Sequence, residues 1–236
     1  MSDLVRLPES AEAADWLVER VVTFAESVLS LVPAGFDAYA RILHPAEQGD
    51  RVVTWAEVAG TTGRVVHREM QWAALGGAEY YAPGPYDCWE TAPRLGSLPP
   101  EIARPLAATL AQQTERSEEC WLAVWEGWGN LSTEIRRAPV FELPRRRYHL
   151  LAGPIEAAIQ PQRGSQQSAS IWWPSDRTWC VATEIDLNSS YVGGSSSCID
   201  QILADGSFEA FKMEPTDGIT MARDTINWQL FPHEDE

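Results

Sequence analysis

Glu184 and Asp186 stand two residues apart in a segment, 179–187, whose alternation reads as a strand. Trp179, Val181, Thr183, Ile185 and Leu187 share one face, and Cys180, Ala182, Glu184 and Asp186 the other. On a strand the two carboxylates leave one face about 7 Å apart. A pair so placed can ligate a divalent cation or serve as acid and base in glycoside cleavage. The same pair also reads as a solvated strand face, or as partners for arginines. Downstream, YVGGSSS (191–197) leads toward a helix expected from about Ser197. A turn through Gly193, Gly194 and Ser195 at a helix N-terminus presents N–H groups suited to an anion. Ser196 or Ser197 as an ordinary N-cap accounts for the same residues. Trp172 and Trp173, just upstream, are placed to wall the same sheet edge. The candidate cleft therefore joins Trp172, Trp173, Glu184, Asp186 and the turn at 193–197.

A second group is basic. Arg136, Arg137, Arg145, Arg146 and Arg147 lie within twelve positions and could clamp a phosphate or an acidic partner segment through bidentate contacts. Internal pairing with the chain's many carboxylates is the alternative. His44, His67, His149 and His233 form no HxH, HExxH or HxxxH pattern, and no GxSxG elbow is present. Cys88, Cys120, Cys180 and Cys198 are widely spaced, without a CxxC pair, and read as buried small hydrophobes. No metal or cofactor motif is present.

These residues need elements to position them. Leu17, Val21, Phe24, Val28 and Leu31 recur at helical spacing, so a long helix is expected over 10–32, with Ser10 as N-cap and Pro33 as terminator. A strand is expected at 36–43, stopped by His44-Pro45. Thr54-Trp55-Ala56-Glu57 matches a capping box that opens a short helix toward Ala59. Gly and Pro crowd 76–100, a loop or lid, before Pro99-Pro100 starts a helix carrying Ala103, Leu106, Ala107 and Leu110. Residues 120–125 (CWLAVW) read as a buried strand breaking at Gly127 and Gly129. Strands at 140–143 and 148–152 pair through the arginine turn between them. Residues 160–170 read as a flexible loop, a strand is expected at 208–213, and the tail 232–236 frays. Short strands mixed with helices, without βαβ alternation, predict an α+β fold: one mixed or largely antiparallel sheet with helices packed on it.

Composition narrows function. The 236 residues carry 18 basic and 34 acidic side chains, a net charge of −16. Such a field repels nucleic acid and anionic membrane and favours solubility or a basic partner. Seventeen Arg stand against one Lys, Lys212, a bias typical of high-GC coding rather than of phosphate recognition. Most of the eleven Trp are expected in the core. The opening MSDLVRLPES lacks a signal-peptide pattern, and no apolar run reaches the roughly 18 residues of a membrane span, so a cytoplasmic location is expected.

The succession VPAGFDAYARILHPA, TWAEVAGTTGRVVH, SLPPEIARPLAATLAQQT, CWLAVWEGWG, RRRYHLLAGPIEAA and WWPSDRTWCVATEIDLNSSYVGGS resembles a family of uncharacterised actinobacterial proteins. That resemblance spans nearly the whole chain and implies one domain over 1–236; it brings no activity or catalytic residue. The opening helix leading into VPAGFDAYARI is similar to the toxin-immunity proteins of the SMI1/KNR4-like class, over the first fifth of the chain only, with His44-Pro45-Ala46 where that class continues in glycine.

Two functions are expected from this. The first is an acidic, cytoplasmic, non-catalytic binding protein that neutralises or regulates a basic protein partner, immunity-like, without nucleic acid, membrane or cofactor. The alternative is an enzyme or small polar-ligand binder using the cleft at Glu184 and Asp186.

Overall fold

A computed structural model describes residues 2–76 and 88–227, and an eight-stranded antiparallel sheet organises them. In chain order the elements are α1 (Asp15–Arg20), β1 (Ala38–Leu43), the hairpin of β2 (Ala46–Gln48) and β3 (Arg51–Val53), α2 (Trp55–Thr62) and α3 (Trp72–Gly76). There follow α4 (Pro100–Ala111), β4 (Cys120–Trp125), β5 (Val140–Leu143), β6 (Arg146–Gly153), β7 (Ile171–Pro174), β8 (Cys180–Ala182), β9 (Ser189–Gly194), α5 (Ser196–Ala204) and β10 (Ala210–Met213). The sheet order is β10-β1-β9-β8-β7-β4-β6-β5. The expected α+β class, one largely antiparallel sheet with packed helices, is the class observed.

Both faces of the sheet are covered, which explains why β1, β8 and β9 are buried along their whole length. Strand alternation sends Ala38, Ala40, Ile42, Val181 and Val192 toward α4 and α5, whose Ile102, Leu106, Leu110, Ile199 and Ile202 complete one core. Tyr39, Cys180, Ala182 and Tyr191 point the other way, to a core closed by Trp16 and Leu17 of α1 and by Val28, Leu31 and Val32. A third cluster packs β3, α2 and α3 around Trp55, Trp72 and Trp89. No Trp among the described residues is exposed; seven of the ten are nearly fully buried. The capping box forms as its residues require: Thr54 Oγ1 accepts from Glu57 N at 3.1 Å and Glu57 Oε2 accepts from Thr54 N at 2.8 Å.

The first helix differs from expectation. Instead of one helix over 10–32, α1 ends at Arg20 and a separate 3-10 turn occupies Val28–Ser30. The β-branched run Val21-Val22-Thr23 weakens the helix. Ala25 then adopts φ 56, and Ser27 and Ser30 form a reciprocal cap that starts the second turn. Ser10 does not cap α1; Ala11 and Ala14 precede the turns without a side-chain cap.

The segment 179–187 also departs from its expected form. The strand stops at Ala182, and Leu187 N donates to Glu184 O across a turn at Ile185 and Asp186. Of the glycine turn expected at 193–197, Gly193 and Gly194 are instead the end of β9, and α5 begins at Ser196. Gly193 is there for packing: a Cβ would lie 2.5 Å from a ring carbon of Phe36 and 2.7 Å from Val32. Residues 160–170 are irregular, yet Ser165, Ser168 and Ser170 point inward, and Ser97 and Ser168 exchange hydrogen bonds at 2.9–3.4 Å. Of the loop expected at 76–100, residues 77–87 lie outside the described residues, as does the tail 232–236. No helix among the described residues is long and apolar enough to cross a membrane.

Candidate functional site

The β5–β6 hairpin turns at Pro144 and Arg145, where Arg145 takes φ 60. That turn directs Arg146 across to the β8–β9 connection, where Glu184 and Asp186 meet it. Arg146 Nε donates to Glu184 Oε1 at 2.8 Å, and Nη2 donates to Glu184 Oε1 at 2.5 Å and to Asp186 Oδ2 at 2.8 Å. The guanidinium lies 4.8 Å from the Phe24 ring centroid and 6.0 Å from that of Trp125. Phe24 comes from the break in the first helix, so the interruption that ends α1 supplies the ring on which Arg146 rests.

This ion pair borders a cleft of about 330 Å³ on the α1 face of the sheet. Leu31, Tyr148, Ile171, Leu187 and Ile219 form much of its apolar wall, while Gln71, Glu184 and Asp186 add polar groups. Glu184 is 10% exposed and Asp186 73%, so one carboxylate is inside and the other at the mouth. Burial pushes the Glu184 carboxyl above its ordinary value while Arg146 pulls it back. Burial likewise holds the Tyr148 phenol up, so it is protonated at neutral pH.

The other residues singled out from the sequence lie elsewhere. Trp172 and Trp173 are buried in β7 on opposite faces of the sheet and wall no open edge. Gly193 and Gly194 are enclosed in β9. Ser195, rather than Ser196 or Ser197, is the N-cap of α5, its Oγ accepting from Cys198 N at 3.2 Å. None of these five borders the cleft.

The arginines do not act as one group. Arg147 pairs with Glu126 and Glu142, each at 3.0 Å, and Arg145 lies 5.5 Å from the Phe24 ring centroid. Arg136 and Arg137 sit exposed in a 3-10 turn, Ile135–Arg137, where Arg136 Nε donates to Leu131 O at 3.2 Å. A shallow hollow beside the cleft is lined by Arg145, Arg146, Arg147, Glu126 and Glu142, so its positive charge is largely met by carboxylates.

That Phe24, Leu31, Gln71, Tyr148 and Ile219 border one cleft was not legible in the sequence, because four separate segments bring them together. No local spacing marks such a set. Among the described residues, no group of three or more His, Cys, Asp or Glu is placed to hold a metal ion. Comparison of the chain with known protein families, characterised proteins and solved structures returns no match.

Proposed function

We propose that this chain is a binding protein whose cleft holds a small amphipathic molecule. One observation carries the reading: an apolar cavity of about 330 Å³, assembled from segments remote in sequence, ends at the Arg146–Glu184–Asp186 cluster. A concave apolar surface with a few converging polar groups is the usual form of a small-ligand site. An apolar body against Leu31, Ile171 and Ile219 would leave the ligand's polar end at the carboxylates. Calorimetric titration with a short-chain alcohol such as octanol tests this. Saturable binding at one site is expected, and Leu187→Trp, which fills the cleft, abolishes it while the protein stays folded. Absence of saturable binding, or binding unaffected by Leu187→Trp, rejects the reading.

A second reading, an acidic surface that meets a basic protein partner and neutralises or regulates it, is supported by the net charge of −16. Association of that kind weakens steeply with salt, because charges at the surface are screened over about 8 Å at physiological ionic strength. A partner recovered equally well at low and high salt counts against it.

A further inference from the structure

We infer that the molecule held in this cleft carries a protonated amine at its polar end. The inference rests on the cleft being a ligand site and adds the chemistry of the head group.

Arg146 is the only cation lining the cleft among the described residues, and four of its five N–H groups are already used, three on Glu184 and Asp186 and one on Arg145 O. Gln71 is 97% buried; its Nε2 donates to Glu69 O at 3.1 Å, which leaves Oε1 as an acceptor with no partner among the described residues. Asp186 gives one oxygen to Arg146 and keeps the other open at the mouth, where the residue is mostly exposed. The Ser30 hydroxyl is engaged with Thr23 Oγ1 at 2.8 Å and accepts from Glu26 N at 3.1 Å. Apart from the Tyr148 and Thr220 hydroxyls, which can play either role, the donors left are one N–H of Arg146 and one of Gln71 Nε2, set against the open acceptors Gln71 Oε1 and the second Asp186 oxygen.

Charge points the same way. Two carboxylates share one guanidinium at the cleft wall, an excess of one negative charge before any ligand enters. Arg145 is nearby, but it rests on Phe24 and borders the neighbouring hollow, not the cleft. An anionic head would meet a single free N–H of Arg146, and to gain a bidentate contact it would have to displace Asp186, or Glu184 whose carboxylate would then be left unpaired in a largely desolvated place. An ammonium group instead supplies the donors that Gln71 Oε1 and Asp186 lack, and the Phe24 and Tyr148 rings suit its alkyl stem.

The test uses three probes with one apolar body: octylamine, octanol and octanoate, titrated calorimetrically into the full chain at neutral pH. Octylamine is expected to bind with a stoichiometry of one, about tenfold or more tighter than octanol, with octanoate weakest. Because a chain this acidic attracts amines to its surface, the amine signal must also vanish in Leu187→Trp. Asp186→Asn, an exposed change that spares the fold, should bring octylamine down to the affinity of octanol measured in the same variant. Octanol binding without an amine preference, a preference for octanoate, or a preference that survives Asp186→Asn overturns the head-group assignment and leaves the cleft reading standing. Failure of all three probes to bind rejects both.

Discussion

Ser190 Oγ lies 2.9 Å from His44 Nε2, and both groups are completely buried. Because His44 Nδ1 faces the Arg94 carbonyl at 2.7 Å, that nitrogen carries the proton and Nε2 accepts from Ser190. Ser190 in turn meets Thr183 Oγ1 at 2.6 Å. The chain of bonds ties β1, β8, β9 and the loop after residue 88 into one polar seam beneath the sheet, with the imidazole neutral.

Burial holds the His44 pKa at about 4, below its ordinary 6.5. The unfolded chain therefore binds a proton that the folded chain refuses between those two values. Stability from this group is intact above about pH 6.5 and declines as pH falls toward 4, by ~3 kcal/mol in full. Glu184 and Glu209, whose carboxyls burial raises, have the opposite sign: their contribution weakens as pH rises through their folded values. The difference between wild type and His44→Gln isolates the histidine. Urea denaturation at pH 7 and pH 5 should show a smaller acid loss in the variant; equal losses would mean that His44 titrates normally.

Replacing the three hairpin arginines one at a time should separate them. Arg146→Ala leaves Glu184 buried without its partner and is expected to lower stability by about 2–4 kcal/mol, discounted from a fully enclosed pair because the site opens on the cleft. Arg145→Ala and Arg147→Ala, both at exposed positions, should each change it by about 0–1 kcal/mol. Urea midpoints measure all three, and equal effects would contradict the pairing described.

Gly193→Ala forces a methyl group into Phe36 and Val32 and should destabilise by about 1–3 kcal/mol. Gly206 has no atom within 4 Å of its would-be Cβ, so Gly206→Ala serves as the control and should be close to neutral. A neutral Gly193→Ala would show that the strand can shift to make room.

Heating should give one calorimetric transition, since β1 is paired on one side with β9 and on the other with β10 and no strand pairing separates the chain's halves. Two resolved transitions would count against that.

The sequence was most legible where local chemistry decides structure. The unbroken apolar run of β4, the Thr54 capping box, Pro100 at the head of α4 and the arginine hairpin all form where their residues place them. Reading failed where tertiary packing overrides pattern. The helical spacing of Leu17, Val21, Val28 and Leu31 is real, and all four are buried on one face, yet a broken backbone delivers them there. Gly193 and Gly194 carry a turn's composition but are needed by the side chains that cross them. Glu184 and Asp186 were recognisable as a pair with an arginine as one possible partner. That the partner is Arg146 depends on a strand order no local window contains.

The position of β1 also has a consequence for synthesis. Both of its neighbours in the sheet are among the last strands to be made: β9 begins roughly 150 residues downstream, about 8 to 30 seconds of translation at ~5–20 residues per second. Until then a strand that is apolar but for Arg41 leaves the ribosome with both hydrogen-bonding edges open, a template for pairing with other nascent chains. Chaperone demand in this protein should therefore be concentrated at its N-terminal end. A chain cut short before β9 would strand β1 without a sheet to join, whatever else of the fold had already formed.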